Sequence, residues 1–146
     1  AYVEIEATYI VPGASSFKTI EDVDESGARI AVAGTSAYDL YLTRTLKKAQ
    51  LYRAEGLPAA VHLFASKNLE ALAGLRPALN ENLTELHDCR IIKGRYMAVQ
   101  QAIGTRKNNL ASLGFLQQFI TQAKNSGLIQ ELINRHGVSE KLQVAI

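Results

Sequence analysis

Arg29-Ile30-Ala31-Val32-Ala33-Gly34-Thr35-Ser36-Ala37-Tyr38-Asp39 joins two patterns that belong to different secondary structures. An apolar, β-branched run stops at a glycine, and a Ser-x-x-Asp signature then opens an amphipathic helical segment. The stretch reads as a strand, a tight turn and a helix start. Backbone N–H groups at such a helix start lack partners inside the helix. Together with the Thr35 and Ser36 hydroxyls they suit a carboxylate or another small anion. The plainer role is that Ser36 only caps its helix, the commoner use of this motif in isolation.

Outward from this junction, strand and helix signals alternate. On the N-terminal side Tyr2 to Val11 alternates, with Val3, Ile5, Ala7, Tyr9 and Val11 on one face and Glu4, Glu6 and Thr8 on the other, which is taken as exposed. Pro12 to Ser16 is loop chemistry, and Thr19 to Val23 reads as a short capped helix. On the C-terminal side a helix is expected from Ala37 to Lys48, a brief strand from Gln50 to Ala54, a helix from Leu57 to Ser66, and a strand from Leu69 to Leu75. Pro77 then starts a helix through Leu86, and Cys89 to Ile92 and Tyr96 to Ile103 read as strands. Helices at Leu110 to Lys124 and Leu128 to His136 are separated by Asn125-Ser126-Gly127, and the pattern ends near Gly137. The expected class is α/β: a mainly parallel sheet with helices on both faces, and two long strands outside the alternation.

Composition narrows the function classes. The 146 residues suit one ordinary domain, and 21% charged residues with a net charge of +2 form no basic block of the kind that binds nucleic acid. No apolar run reaches membrane-spanning length, so no direct membrane insertion is expected, and no signal-peptide pattern opens the chain. The first residue is Ala1 rather than methionine, which suggests that a leader or more has been removed. Cys89 is the only cysteine, which rules out an internal disulfide. His62, His87 and His136 fall in different elements without metal-ligand spacing. Asp22, Asp24 and Glu25 lack the other positions of a calcium loop, so neither a metal nor a cofactor is expected.

The order Tyr9-Ile10-Val11, Ile20-Glu21-Asp22-Val23 and Arg29 to Thr35 resembles the second lobe of the extracellular solute-binding proteins of ABC transporters, in the group that binds amino acids and other polar solutes. Tyr96-Met97-Ala98-Val99-Gln100-Gln101-Ala102-Ile103-Gly104-Thr105-Arg106-Lys107 is similar to the strand that leaves that lobe. Leu116 to Ile120, Ala123-Lys124-Asn125-Ser126-Gly127 and Ile133-Asn134-Arg135-His136-Gly137 are similar to the family's helical ending. The likeness implies a type II periplasmic-binding-protein architecture, cut to one truncated domain over 1–146. Its second-lobe core is placed at 12–94, and the return strand and closing helices at 95–146. Most of the first lobe is missing. The closing helices carry the stripe Leu116, Phe119, Ile120, Leu128, Leu132 and Ile133, which needs an apolar cover; a homodimer is the expectation.

The resemblance also implies a location and a site. Relatives act in the periplasm or outside the cell, with an ABC permease as partner of a full-length member. Their turn at the positions of Gly34, Thr35, Ser36, Ala37 and Tyr38 gives hydroxyl and N–H donors to the solute. Tyr38 serves either as a wall of that pocket or as core. Amino-acid binders usually place an acid after the strand resembled by Leu69 to Leu75; here Ala73-Gly74-Leu75-Arg76 stands instead. Arg76 suits a carboxylate or phosphate, or is simply an exposed arginine. The expected function is therefore non-catalytic binding of a small polar, anionic solute, an amino acid or organic anion. The alternative is a stand-alone dimeric interaction module that keeps the fold without the solute. Relatives can acquire lyase chemistry, but Glu4, Glu6 and Glu70 are not paired with an acid here, so no enzyme is expected.

Overall fold

Strand alternation places apolar side chains on both faces of the central strands, and a computed structural model describing residues 1–146 has helices over each face. The elements are β1 (Val3–Pro12), β2 (Arg29–Ala33), α1 (Ala37–Thr45), β3 (Gln50–Ala54), α2 (Gly56–Ser66), β4 (Ala71–Leu75), α3 (Arg76–Asn82), β5 (Cys89–Ile91), β6 (Met97–Gln101), α4 (Leu110–Asn125), α5 (Leu128–Arg135) and β7 (Gln143–Val144). A single 3-10 turn, Glu21–Val23, precedes β2.

The strand order is β3-β2-β4-β1-β5, with β6 and β7 also pairing to β1. β2 runs parallel to both β3 and β4, whereas β1 runs antiparallel to β4, β5 and β7. The sheet is thus mixed: the βαβαβ part is parallel, as alternation requires, and the long first strand crosses it in the other direction.

Chain contacts divide the protein into a unit of Glu6–Ala98 and a unit of Ala1–Ile5 with Val99–Ile146. In the first of these, Ile30, Val32, Ala71, Ala73, Tyr9 and Val11 pack with Tyr38 and Leu42 of α1 on one face. Ile10, Ala31 and Leu72 pack with Ala60 and Phe64 of α2 and Leu79 of α3 on the other. Successive residues of each strand therefore serve opposite cores, each buried Ile or Leu contributing about 1.5–3 kcal/mol. Gly74 lies where α3 crosses β4, and a Cβ there would stand 2.8 Å from Leu79 Cδ2.

In the other unit, Val3, Ala123, Ile129 and Ile133 form a small core with Leu142 and Val144 packed against it. Asn109 caps α4 by accepting from Ser112 N–H at 3.0 Å, and Gly127, at φ 79°, takes the left-handed turn between α4 and α5 that a Cβ disfavours. Of the anticipated stripe, Ile133 is buried, but Phe119 and Leu128 are 44% and 39% exposed, and Leu110 and Phe115 beside them are 75% and 67% exposed.

Two expectations are corrected. Glu4 is not on an exposed face: it is 3% exposed, and its carboxylate accepts from Gln100 Nε2 at 2.5 Å. α1 stops at Thr45 rather than continuing to Lys48, because the Asp24 carboxylate draws off the N–H groups of Lys47, Lys48 and Ala49 at 2.9, 2.8 and 2.9 Å. No helix is long and apolar enough to cross a membrane.

Candidate functional site

The site is built by the end of β2 and the start of α1. Gly34 N–H donates to Ala54 O at 2.9 Å, closing the edge between β2 and β3. Thr35 then adopts φ 63°, a left-handed conformation that is unfavourable for a β-branched residue. The turn lets Ser36 cap α1: Asp39 N–H donates to Ser36 Oγ at 3.1 Å, and the Asp39 carboxylate reaches back to Thr35 N–H at 2.9 Å. This reciprocal pair is the capping box anticipated from Ser-x-x-Asp, shifted by one residue at its return bond.

Asp39 does more than cap. Its side chain is 5% exposed, and Arg53 Nε donates to it at 3.0 Å while Arg53 Nη2 donates to Thr43 Oγ1 at 2.7 Å. The carboxylate and guanidinium brace the turn from the side of β3. Both hydroxyls of the turn are engaged within it, Thr35 Oγ1 to Gly34 O at 2.6 Å and Ser36 Oγ to Ala33 O at 2.7 Å. Leu40 N–H closes the first helical bond to Ser36 O. The N–H groups of Ala37 and Tyr38 remain without a partner in the chain, and the edge that bears them is reachable from solvent at Thr35 and Ala37.

The remaining expected residues behave differently. Gly34 has no internal need to be glycine, since an added Cβ would meet Ala54 O at an ordinary 3.6 Å. Tyr38 belongs to the core, and burial first, then the Asp39 carboxylate, push its phenol up against the lowering effect of the Ser36 hydroxyl. Near it, the Tyr9 and Tyr96 rings lie 4.5 Å apart; the Tyr96 hydroxyl is buried with no hydrogen-bond partner, and burial raises its pKa well above the ordinary value.

Arg76 is not idle. Its Nε donates to Glu6 Oε2 at 2.7 Å, and its Nη2 donates to Gly94 O. Arg76 follows β4 at the sheet edge where the turn follows β2. β2 and β4 run parallel and pair Ile30 with Ala71 and Ala31 with Leu72, so their carboxyl ends, Ala33 and Leu75, lie at the same edge of the sheet. β1 and β4 pair Ala7 with Leu75, and one further step sets Glu6 opposite Arg76. Carboxyl ends of parallel strands are where open α/β sheets take their ligands, above all where neighbouring connections leave for opposite faces. β2 and β4 meet that description, since α1 and α3 cover opposite faces. An apolar groove of about 490 Å³, lined by Tyr2, Val3, Ile129, Leu132, Val138 and Leu142, lies elsewhere.

Asp39, Arg53 and Glu6 were not foreseen as members of the site. Asp39 was visible as a capping residue, but its bond to Arg53 and the opposition of Glu6 to Arg76 depend on pairing across strands, which local patterns do not encode.

The arrangement supplies uncharged backbone donors with a helix dipole behind them, next to a guanidinium held by a carboxylate. Nowhere do three His, Cys, Asp or Glu side chains gather to hold a metal ion.

No family model and no curated protein sequence matches the chain. Solved structures do. A mutant of ArgBP from T. maritima is similar with a TM-score of 0.65 at 20% identity, over 92% of this chain and 58% of that one. A binding component of an ABC transporter from Wolinella succinogenes, complexed with lysine, is similar with a TM-score of 0.70 at 15% identity, over 90% and 58%. An ancestral amino acid-binding protein described as a precursor of cyclohexadienyl dehydratase gives 0.64 at 16%, over 90% and 57%. The chain thus has the fold of the type II periplasmic binding proteins, and it spans a little under three fifths of the length of the amino-acid-binding relatives it resembles in structure.

Proposed function

We propose that this chain is a non-catalytic binding domain for a small polar solute carrying an acid group, related to the substrate-binding component of an ABC importer. The observation that carries the reading is the start of α1, where the N–H groups of Ala37 and Tyr38 are left open while every side chain of the turn is used to hold its shape. A helix start of this kind receives a carboxylate through two N–H donors and the dipole. The structural neighbours are described as binding arginine, lysine or glutamine, each of which carries such a carboxylate. One of them lies on the path to a dehydratase, but the turn of this chain offers donors without an acid–base pair.

In this reading Gly34, Thr35, Ser36, Ala37, Tyr38 and Arg76 form one wall of the site, with Tyr38 acting from the core side. The second wall comes from a further lobe or from a second copy of the chain, and closure of the two walls around the solute completes the site. The working place is the periplasm or cell exterior, with an ABC permease as partner of the two-lobed form. The homodimer is supported by the exposed apolar side chains of α4; the same feature favours the second reading, a dimeric interaction module without a solute.

Thermal denaturation with arginine, lysine, glutamine, succinate and inorganic phosphate separates the two. Solute binding predicts stabilisation, about 2.7 kcal/mol at a hundredfold excess over the dissociation constant, lost when Thr35 and Ser36 are both replaced by Ala. No stabilisation by any of the five, in a chain that sediments as a dimer, supports the module.

A further inference from the structure

Three tyrosine rings stand in a row on the face of the sheet that α1 covers. The ring centroids of Tyr9 and Tyr96 are 4.5 Å apart, and Tyr41 of α1 stacks on Tyr96 at 6.1 Å and 21°. Tyr9 is 1% exposed and Tyr41 36%, so the row runs from the core to the surface. The Tyr96 hydroxyl is buried within it and has no hydrogen-bond partner. A buried donor left unused destabilises the fold, and a phenylalanine would fill the same space without that cost.

Backbone and side-chain contacts both place Tyr96 by the start of α1. Its N–H donates to Ala7 O at 3.1 Å, and Ala7 pairs with Leu75, the last residue of β4. Tyr96 therefore lies at the sheet edge where β2 and β4 end and α1 begins. On α1, Tyr38 and Tyr41 are three residues apart and share a helix face. Tyr41 stacks on Tyr96, and Tyr38 belongs to the same core as Tyr9, with Tyr96 packed against it. Burial first, then the Tyr9 and Tyr38 phenols, raises the Tyr96 pKa well above its ordinary value, so the hydroxyl keeps its proton and remains a donor.

We propose that the Tyr96 hydroxyl is a further donor to the acid group of the solute, beside the N–H groups of Ala37 and Tyr38, and that the Tyr41 ring is the cover that swings aside to admit it. This rests on the solute-binding reading above and extends it. Without a solute the donor is idle, and the fold bears its cost. With a carboxylate in place the hydroxyl makes a charge-assisted hydrogen bond in surroundings of low dielectric, where such bonds are strong. Tyr96 then sets affinity for the ionised acid, and a hydrogen bond rather than a second charge supplies it.

The test is a titration of the intact chain followed by the Ala37 and Tyr38 amide resonances, with L-arginine, L-lysine and succinate as probes. Tyr96→Phe keeps the ring and its stacking and removes only the hydroxyl. It is expected to bind each probe that shifts these amides about tenfold more weakly, the worth of one hydrogen bond to a charged group, with stability in urea equal or higher. Tyr41→Ala is expected to tighten binding while Tyr96 keeps its hydroxyl, and to change nothing once Tyr96 is replaced by Phe. Weaker binding in Tyr96→Phe that comes with a loss of stability would make the hydroxyl part of the packing and overturn the proposal. Equal affinity with and without the hydroxyl, or the same effect of Tyr41→Ala in both backgrounds, would also overturn it and leave the solute-binding reading intact. If no probe shifts either amide in any of the proteins, both fall.

Discussion

Thr35 is the residue at which stability and the proposed use of the site part company. Its φ of 63° is strained for a branched side chain, and of the other two non-glycine residues with positive φ, Asn68 and Asp88, both are types that tolerate it. Replacing Thr35 with Gly is expected to raise unfolding stability by about 1 kcal/mol in urea denaturation while weakening solute binding, through loss of the side chain that shapes the turn. A drop in stability would show that the Thr35 Oγ1 bond to Gly34 O outweighs the strain. The buried Tyr96 hydroxyl is a second case. It has no partner, so Tyr96→Phe is expected to leave stability unchanged or raise it by up to about 1 kcal/mol; a loss would mean that the phenol has a partner in solution. At this scale the capping box was legible in Ser36 and Asp39, because it is local. The engagement of Arg76 by Glu6 was not, because 70 residues separate them and only the β1–β4 register brings them together.

Among the elements, the link between α1 and β3 depends on one carboxylate. Burial alone would raise the Asp24 pKa, but the N–H groups of Ala49, Lys48 and Lys47 outweigh it and hold it below its ordinary 3.8. The Asp22 carboxyl is lowered by Thr19 and Lys18 N–H groups, and Glu70 is lowered from 4.5 chiefly by Arg29, which donates to it at 2.8 Å. Each folded-state pKa lies below the unfolded one, so this stabilisation is complete above about pH 4.5 and is lost as the pH falls through the lowered values. Asp24→Asn is therefore expected to destabilise the chain by roughly 1–2 kcal/mol at pH 7 and by clearly less at pH 3, compared by urea denaturation. Gly74→Val, which drives a branched side chain into Leu79, is expected to cost about 1–3 kcal/mol. The end of α4 and the start of α5 were legible from Asn125-Ser126-Gly127. β7 was not, since a two-residue strand has no periodicity of its own and exists only through Val144 and Gln143 pairing with Val3 and Glu4. The antiparallel course of β1 was hidden for the same reason, as alternation reports which faces are buried but not the direction of the neighbour.

At the scale of the molecule, the chain spans a little under three fifths of the length of its structural neighbours. The α4 helix bears a single charged residue, Lys124, and exposes Leu110, Leu113, Phe115 and Phe119, so nothing electrostatic opposes its pairing with an apolar partner. If that partner is a second copy, Phe115→Ser with Phe119→Ser shifts the chain from dimer to monomer in sedimentation at micromolar concentration without loss of the Glu6–Ala98 core; an unaltered chain that is monomeric contradicts the dimer. The central claim is narrower than this and concerns two N–H groups. Titrating the ¹⁵N-labelled chain with arginine, lysine, glutamine and succinate tests it most directly. The account predicts saturable shifts of the Ala37 and Tyr38 amide resonances with at least one of these carboxylates; shifts that appear only along α4, or nowhere, would contradict it.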